Sequence, residues 1–377
     1  MLTFSINMTS VQESNIFLRK LWSELNQIKP MGWDMYPYKE EKRVTIGKSN
    51  LGEISFDYKQ KGCIKNIYID NDDNAEAIAA AVQRAKTNKM KKYGIALLLR
   101  NDNNIAIAEA SFEGCSVFSL DGKTYVKLQM EAYSAWDVEQ FLPNKYSSIL
   151  SILYEYTQTL FEIIGAQFAE GCWNTHDTDH QIYNYQWMSC DECPCLDNHE
   201  IILPRECLQL LSYIMDDNRY NEDIELLLNS SRVLMETKSL FAEIKYPFVS
   251  GKADIINSMA CSSFEPLALI LDKSNGQCKE CGNMVVYVVK KIRKMCTRYF
   301  DSSFAKYVCE VIYKKRSAFL HMGRQESSQR ATRVFCPQIS TESGVIMPPH
   351  GVVHEAIFCY SSFLFRNVAR DYFEHKI

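Results

Sequence analysis

The 377-residue chain predicts an α+β N-terminal domain followed by an all-α helix-bundle C-terminal domain. Three observations carry that prediction. Strand-like runs alternate with helix-like ones up to about residue 142, apolar residues recur at helical spacing beyond about residue 203, and the length exceeds a single core of roughly 100–150 residues. The expected division is 1–142 for the α+β domain, 143–202 for a long helix with a Cys- and His-containing linker or insertion, and 203–377 for the helical domain.

The elements follow in order. Ser10 to Lys29 places Leu18, Leu21, Trp22 and Leu25 on one helical face. Short strands are expected at Arg43–Ile46, Ile54–Tyr58 and Ile64–Ile69, separated by the turn signals Lys48-Ser-Asn-Leu-Gly52 and Lys61-Gly-Cys63. Asp73-Asn-Ala-Glu76 opens a second helix to about Lys89, acidic at its start and basic at its end, as the helix dipole favours. Three more strands are expected around Ile95–Leu99, Ile105–Phe112 and Tyr125–Tyr133. Asn144 to Ala169 reads as one long helix, with Ile149, Ile152, Leu153, Tyr156, Leu160, Ile163 and Ile164 as its stripe. Further helices are expected over Arg205–Met215, Asn221–Glu243, Ile255–Leu271, Met284–Tyr299, Ser303–Met322 and Val352–Glu374.

Apolar residues at 46% and charged residues at 23% exclude a disordered chain. The opening Met1-Leu-Thr-Phe-Ser-Ile has no basic region leading into an apolar one, and no apolar run approaches the roughly 20 residues of a membrane span. A soluble cytoplasmic protein with no membrane partner is therefore expected. A net charge of −4 excludes a chain that is basic throughout, so nucleic acid would have to meet a local patch. Such a patch exists between Lys290 and Arg333, where twelve Lys and Arg residues stand against Asp301, Glu310 and Glu326.

The stretch that carries chemistry is Val311-Ile-Tyr-Lys-Lys-Arg316-Ser317-Ala-Phe-Leu-His321-Met-Gly323, at the end of an expected helix. It resembles the Arg-Ser-x-x-x-His signature of the Apea-like branch of the HEPN superfamily, helical ribonucleases and their inactive relatives. Arg316, Ser317 and His321 match that signature, Tyr313 matches an aromatic common before the arginine, and Gly323 stands one position later than the family's usual glycine. Glu265, in Ser262-Ser-Phe-Glu-Pro-Leu, matches an acidic residue that the family tends to carry on an earlier helix. The resemblance spans about residues 205–377. It implies a HEPN-like bundle, a homodimer or higher even oligomer, and metal-independent RNA cleavage in a regulated stress, toxin or anti-phage setting.

These residue types suit that reaction. RNA supplies its own nucleophile, the 2′-hydroxyl, and the products are then a 2′,3′-cyclic phosphate and a 5′-hydroxyl. His321 can exchange a proton near neutral pH as general base or acid, Arg316 offers a permanent cationic fork to a crowded phosphorane, and Ser317 can add a hydrogen bond. On an ideal helix residues 316 and 321 are rotated by about 140°, so a composite site built across two chains is expected. Lys290, Lys291, Arg293, Lys294, Lys314 and Lys315 are the expected contacts to the RNA backbone.

No cofactor is expected for catalysis, whereas Cys190-Asp-Glu-Cys193 and Cys278-Lys-Glu-Cys281 have the spacing of a four-thiolate structural zinc site. Two alternatives stand beside the nuclease. One is a HEPN domain that dimerises, binds RNA or acts as an antitoxin-like partner without cutting; the other is a ligand-sensing protein with a structural zinc. In both the nuclease and the sensor readings, the α+β domain would take a regulatory protein or ligand that the sequence does not identify.

Overall fold

The computed structural model describes all residues except 31, 41–42, 72, 102, 104, 173–194, 197–199, 244–251, 275, 278–283, 286, 323–337, 340–345 and 348–349. The architecture is mixed, with the sheets concentrated in the N-terminal part and the helices in the C-terminal part. Two compact units divide the chain. The first is Met1–Gly94 with Met130–Asn144 and Phe168–Cys172; the second is Ile95–Gln129 with Lys145–Gln167 and Trp173–Ile377.

The first unit opens with β1 (Leu2–Ser5), α1 (Val11–Ile28), β2 (Trp33–Glu40), β3 (Arg43–Ser49), β4 (Gly52–Gln60), β5 (Cys63–Ile69) and α2 (Ala75–Thr87). The strands form an antiparallel sheet in the order β1-β5-β4-β3-β2. Its core joins Phe17, Leu21 and Leu25 of α1 and Ile78 and Val82 of α2 to Ile54, Phe56, Ile64, Ile67 and Ile69 of the sheet. Helix α1 starts where it does because the Ser10 side chain accepts from the Glu13 amide at 3.1 Å, while the Glu13 carboxylate accepts from the Thr9 amide at 2.8 Å.

The chain continues through β6 (Lys91–Asn101), β7 (Ala106–Ile107), β8 (Ala110–Phe112), β9 (Cys115–Leu120), β10 (Lys123–Ala132), α3 (Ala135–Phe141), α4 (Pro143–Thr157) and β11 (Phe161–Glu170). A second five-stranded sheet runs β11-β6-β10-β9-β8. The short β12 (Cys195–Leu196) and β13 (Glu200–Ile201) join β7 in a small third sheet.

The helical part of the second unit comprises α5 (Arg205–Tyr213), α6 (Glu222–Glu243), α7 (Lys252–Ser262), α8 (Phe264–Leu271), α9 (Val288–Tyr299), α10 (Ser302–Tyr307), α11 (Lys314–Met322) and α12 (His350–Phe373). Two-residue strands, β14 (Gly276–Gln277) with β15 (Met284–Val285) and β16 (Gln338–Ile339) with β17 (Ile346–Met347), lie between helices. Helix α6 buries Ile224, Leu227, Leu228, Ser231 and Leu234, a helical stripe facing α7 and α8. Helix α12, with Ile357, Phe358, Leu364, Phe365 and Val368 buried, packs against α5 through α9. Asp301 caps α10, its carboxylate accepting from the Ser303 and Phe304 amides at 2.9 and 3.1 Å. From there the backbone is helical without a break to Met322, through a π-helical stretch at Val308–Tyr313.

Several expectations are corrected. Asn144–Ala169 is not one helix: α4 ends at Thr157, Gln158 takes φ +54°, and 161–170 is a strand. Cross-strand ion pairs tie that strand to β6, Lys91 to Glu170 at 3.0 Å and Arg100 to Glu162 at 2.5 Å, while Ile164 of the supposed apolar stripe is 41% exposed. Residues 95–129 belong to the same compact unit as the C-terminal helices, and within it β8 and β9 pack on α5. The segment Ile255–Leu271 is two helices, broken at Ser263, and Met284–Val285 precedes α9 as a strand rather than as its first turn.

Candidate functional site

The residues of the motif meet on α8, α9 and the helical run 308–322. Glu265 sits in the first turn of α8. Its Oε1 accepts from the Tyr313 hydroxyl at 2.8 Å and lies 2.5 Å from Arg316 Nη2. The same Nη2 donates to the Ser262 hydroxyl at 3.3 Å, and the guanidinium carbon stands 5.4 Å from the centre of the Tyr313 ring. Arg316 and Glu265 have side-chain exposures of 15% and 27%, so the pair is half-sheltered and its electrostatics are stronger than those of a surface pair.

Local sequence explains the convergence. Tyr313 and Arg316 are three residues apart and share one side of the helical run. The π-helical stretch ends at Tyr313, and this i→i+5 geometry, which recurs at functional sites, sets the register from which Arg316 projects. Burial and the hydrogen bond to Glu265 push the Tyr313 phenol well above its usual range, so it stays a donor at any working pH. Burial likewise raises the neighbouring Cys261 thiol to about 12, which makes it an inert filler beside the ion pair.

A cleft of about 560 Å³ opens over this network, lined by Glu265, Tyr287, Val288, Val289, Lys290, Arg293, Tyr313, Arg316 and Ser317. Lys290, Arg293 and Arg316 face one carboxylate among these lining residues, so the local charge is positive in a chain whose net charge is −4. Arg293 also leans toward Glu310 at 3.8 Å across the surface.

Of the candidate residues, the structure brings Arg316, Ser317, Glu265, Lys290 and Arg293 together. His321 lies in α11, five residues beyond Arg316, and the α-helix persists to Met322, so the backbone does not loosen between the two. The side chains of His321 and Lys315 lie outside the described ones. Lys314 is exposed and does not line the cleft. Lys291 is corrected outright: it is 3% exposed and its Nζ donates to the Asp272 carbonyl at 2.7 Å, capping the end of α8. It shares the inner face of α9 with Ile292, Met295 and Cys296 and is not available to a ligand. Lys294 is exposed but pairs with Asp272 at 3.2 Å, away from the cleft lining. Cys190, Cys193, Cys278 and Cys281 lie outside the described residues, and with them the zinc expectation.

Tyr287, Val288 and Val289 were not picked out by sequence, although an aromatic three residues before Lys290 at the start of a basic helix is a readable signal. Comparison with family models, with curated proteins and with solved structures returns no match for the chain.

Proposed function

We propose that this chain is a metal-independent endoribonuclease of the HEPN type, and that its reaction centre is the cleft over Glu265, Tyr313 and Arg316. The observation that supports this best is the pairing of residues chosen from the motif. Arg316 is fixed by Glu265 at 2.5 Å, and Lys290 and Arg293 add positive charge along the same wall. An arginine held in one orientation stabilises charge that develops on a phosphorane without reorganising during the reaction.

The residues then take distinct roles. Arg316 offers its fork to the phosphate, Ser317 contributes a hydrogen bond at the cleft wall, and Lys290 and Arg293 hold the backbone without reading sequence. Glu265 and Tyr313 are positioning residues: the carboxylate orients the guanidinium, and the phenol fixes the carboxylate. His321 moves the proton from the 2′-hydroxyl and returns one to the leaving 5′-oxygen. With residues 316 and 321 about 140° apart on one helix, a homodimer supplies the second histidine or arginine to each cleft.

A second reading, a HEPN module that binds RNA without cutting it, draws on the same geometry, because the Arg316 fork already spends donors on Glu265 and Ser262. Two variants separate the readings. Arg316→Lys keeps a cation for Glu265 and loses the fork, and His321→Ala removes the proton carrier. On the nuclease reading both lower cleavage at least about 100-fold, the usual scale for a lost acid–base group or a lost donor to developing charge, while RNA binding persists. Equal cleavage by parent and both variants would place the activity elsewhere, and no cleavage by the parent would leave the binding module.

A further inference from the structure

Tyr287 stands immediately before α9 and lines the cleft, with 52% of its surface exposed. A single exposed aromatic is ordinary on a protein surface. Two further observations distinguish this one. A Cβ added at Gly276 would lie 2.3 Å from Tyr287 Cε2, so the ring rests against backbone where only glycine leaves room for it. The ring is thus supported on one side by β14 and open on the other. The second observation is its company: Lys290 and Arg293, three and six residues further along α9, line the same cleft.

A supported aromatic beside cations is the arrangement that holds single-stranded nucleic acid, in which every base offers a π-face and the phosphates follow the charges. Base-paired RNA presents no free face there, because its bases are stacked within the helix. A ring already held by its scaffold also loses little freedom when a base settles on it.

We propose that Tyr287 is a stacking platform that selects an unpaired base next to the scissile phosphate, with Lys290 and Arg293 holding the adjoining phosphates. This rests on the RNA reading above and adds to it the residue that distinguishes unpaired from paired substrate. Gly276 takes part as the notch that seats the ring.

The test uses the full chain and an uncleavable, fully 2′-O-methylated oligonucleotide, labelled for anisotropy, as single strand and as duplex. A second single strand carries 2-aminopurine, whose fluorescence is quenched on stacking. The parent is expected to bind the single strand more tightly than the duplex and to quench 2-aminopurine. Tyr287→Phe should match it. Tyr287→Leu, which keeps apolar bulk without a π-face, and Tyr287→Ala should bind the single strand roughly 5- to 150-fold more weakly, the fold-change that one lost base stack gives. Their duplex binding should not change, and Gly276→Ala should reproduce the defect by displacing the ring. If the parent binds the single strand, Lys290→Glu weakens it, and Tyr287→Ala and Tyr287→Leu bind and quench as the parent does, the platform is wrong while the RNA reading stands. If the parent binds neither oligonucleotide, both fall together.

Discussion

Removing the Glu265 carboxylate probes the site most sharply, because two other groups depend on it. In Glu265→Ala the guanidinium of Arg316, 15% exposed, loses a partner at 2.5 Å, and the Tyr313 hydroxyl, on a residue 3% exposed, loses its acceptor at 2.8 Å. Breaking a fully buried pair costs about 3–5 kcal/mol and a surface pair about 0–1; the partial exposure here places the ionic part near 2. A stranded buried hydroxyl adds about 1–3 kcal/mol, so the expected loss is about 3–5 kcal/mol. Glu265→Gln keeps a neutral acceptor for both partners and should lose about half as much. Urea midpoints at constant slope give these numbers, and a cycle combining Glu265→Gln with Tyr313→Phe should show a coupling of about 0.5 kcal/mol or more. A Glu265→Ala protein within about 0.5 kcal/mol of the parent, the range of neutral surface changes, would show that Glu265 does not hold Arg316 as described.

Burial raises the Glu155 carboxyl from 4.5 to about 8. The folded chain therefore keeps a proton that the unfolded chain releases, and stability should fall by up to about 1.4 kcal/mol per pH unit between those values. Glu155→Gln should flatten that slope in urea midpoints at pH 6 and 8; an unchanged slope would mean that Glu155 is not the group responsible. Lys291→Glu should destabilise the fold by several kcal/mol, because it places a carboxylate in a buried site facing the Asp272 carbonyl, whereas exposed Lys290→Glu should leave the urea midpoint within about 0.5 kcal/mol. If the site is composite, dilution below the dimer dissociation constant should lower cleavage per chain, and a constant value would indicate a self-sufficient monomer.

Much of the architecture was legible because its signals are local. The α1 stripe, the strands from Arg43 to Ile69, and helices α5, α6 and α12 all follow from spacing and turn chemistry. What escaped depended on tertiary context. Ile163 and Ile164 fit a helical stripe, but residues 161–170 extend because β6 offers a strand edge with opposite charges at Lys91 and Arg100. Strand β2 was hidden by Pro37, which is accommodated where the register with β3 shifts between Met35 and Tyr38. At the site, the motif pointed to Arg316, Glu265 and Tyr313, and the structure brings these three into contact. Spacing could not show that Lys291 turns inward while Lys290 stays out, since adjacent lysines on a helix differ only in which side the core occupies. Nor could it show that Tyr287 leans on Gly276, a contact between a strand and a helix start.

The ends that the chain leaves on its substrate report which group attacks the phosphate. Purified parent protein is incubated in EDTA with a mixed single-stranded RNA and with DNA of matching sequence, and the products are read by mass spectrometry. RNA alone is expected to be cut, giving 2′,3′-cyclic phosphates and 5′-hydroxyls, and a single 2′-deoxyribose at the scissile position should block cleavage there. Intact RNA, DNA cut as readily as RNA, or products bearing free 3′-hydroxyls would rule out cleavage by the 2′-hydroxyl at this site.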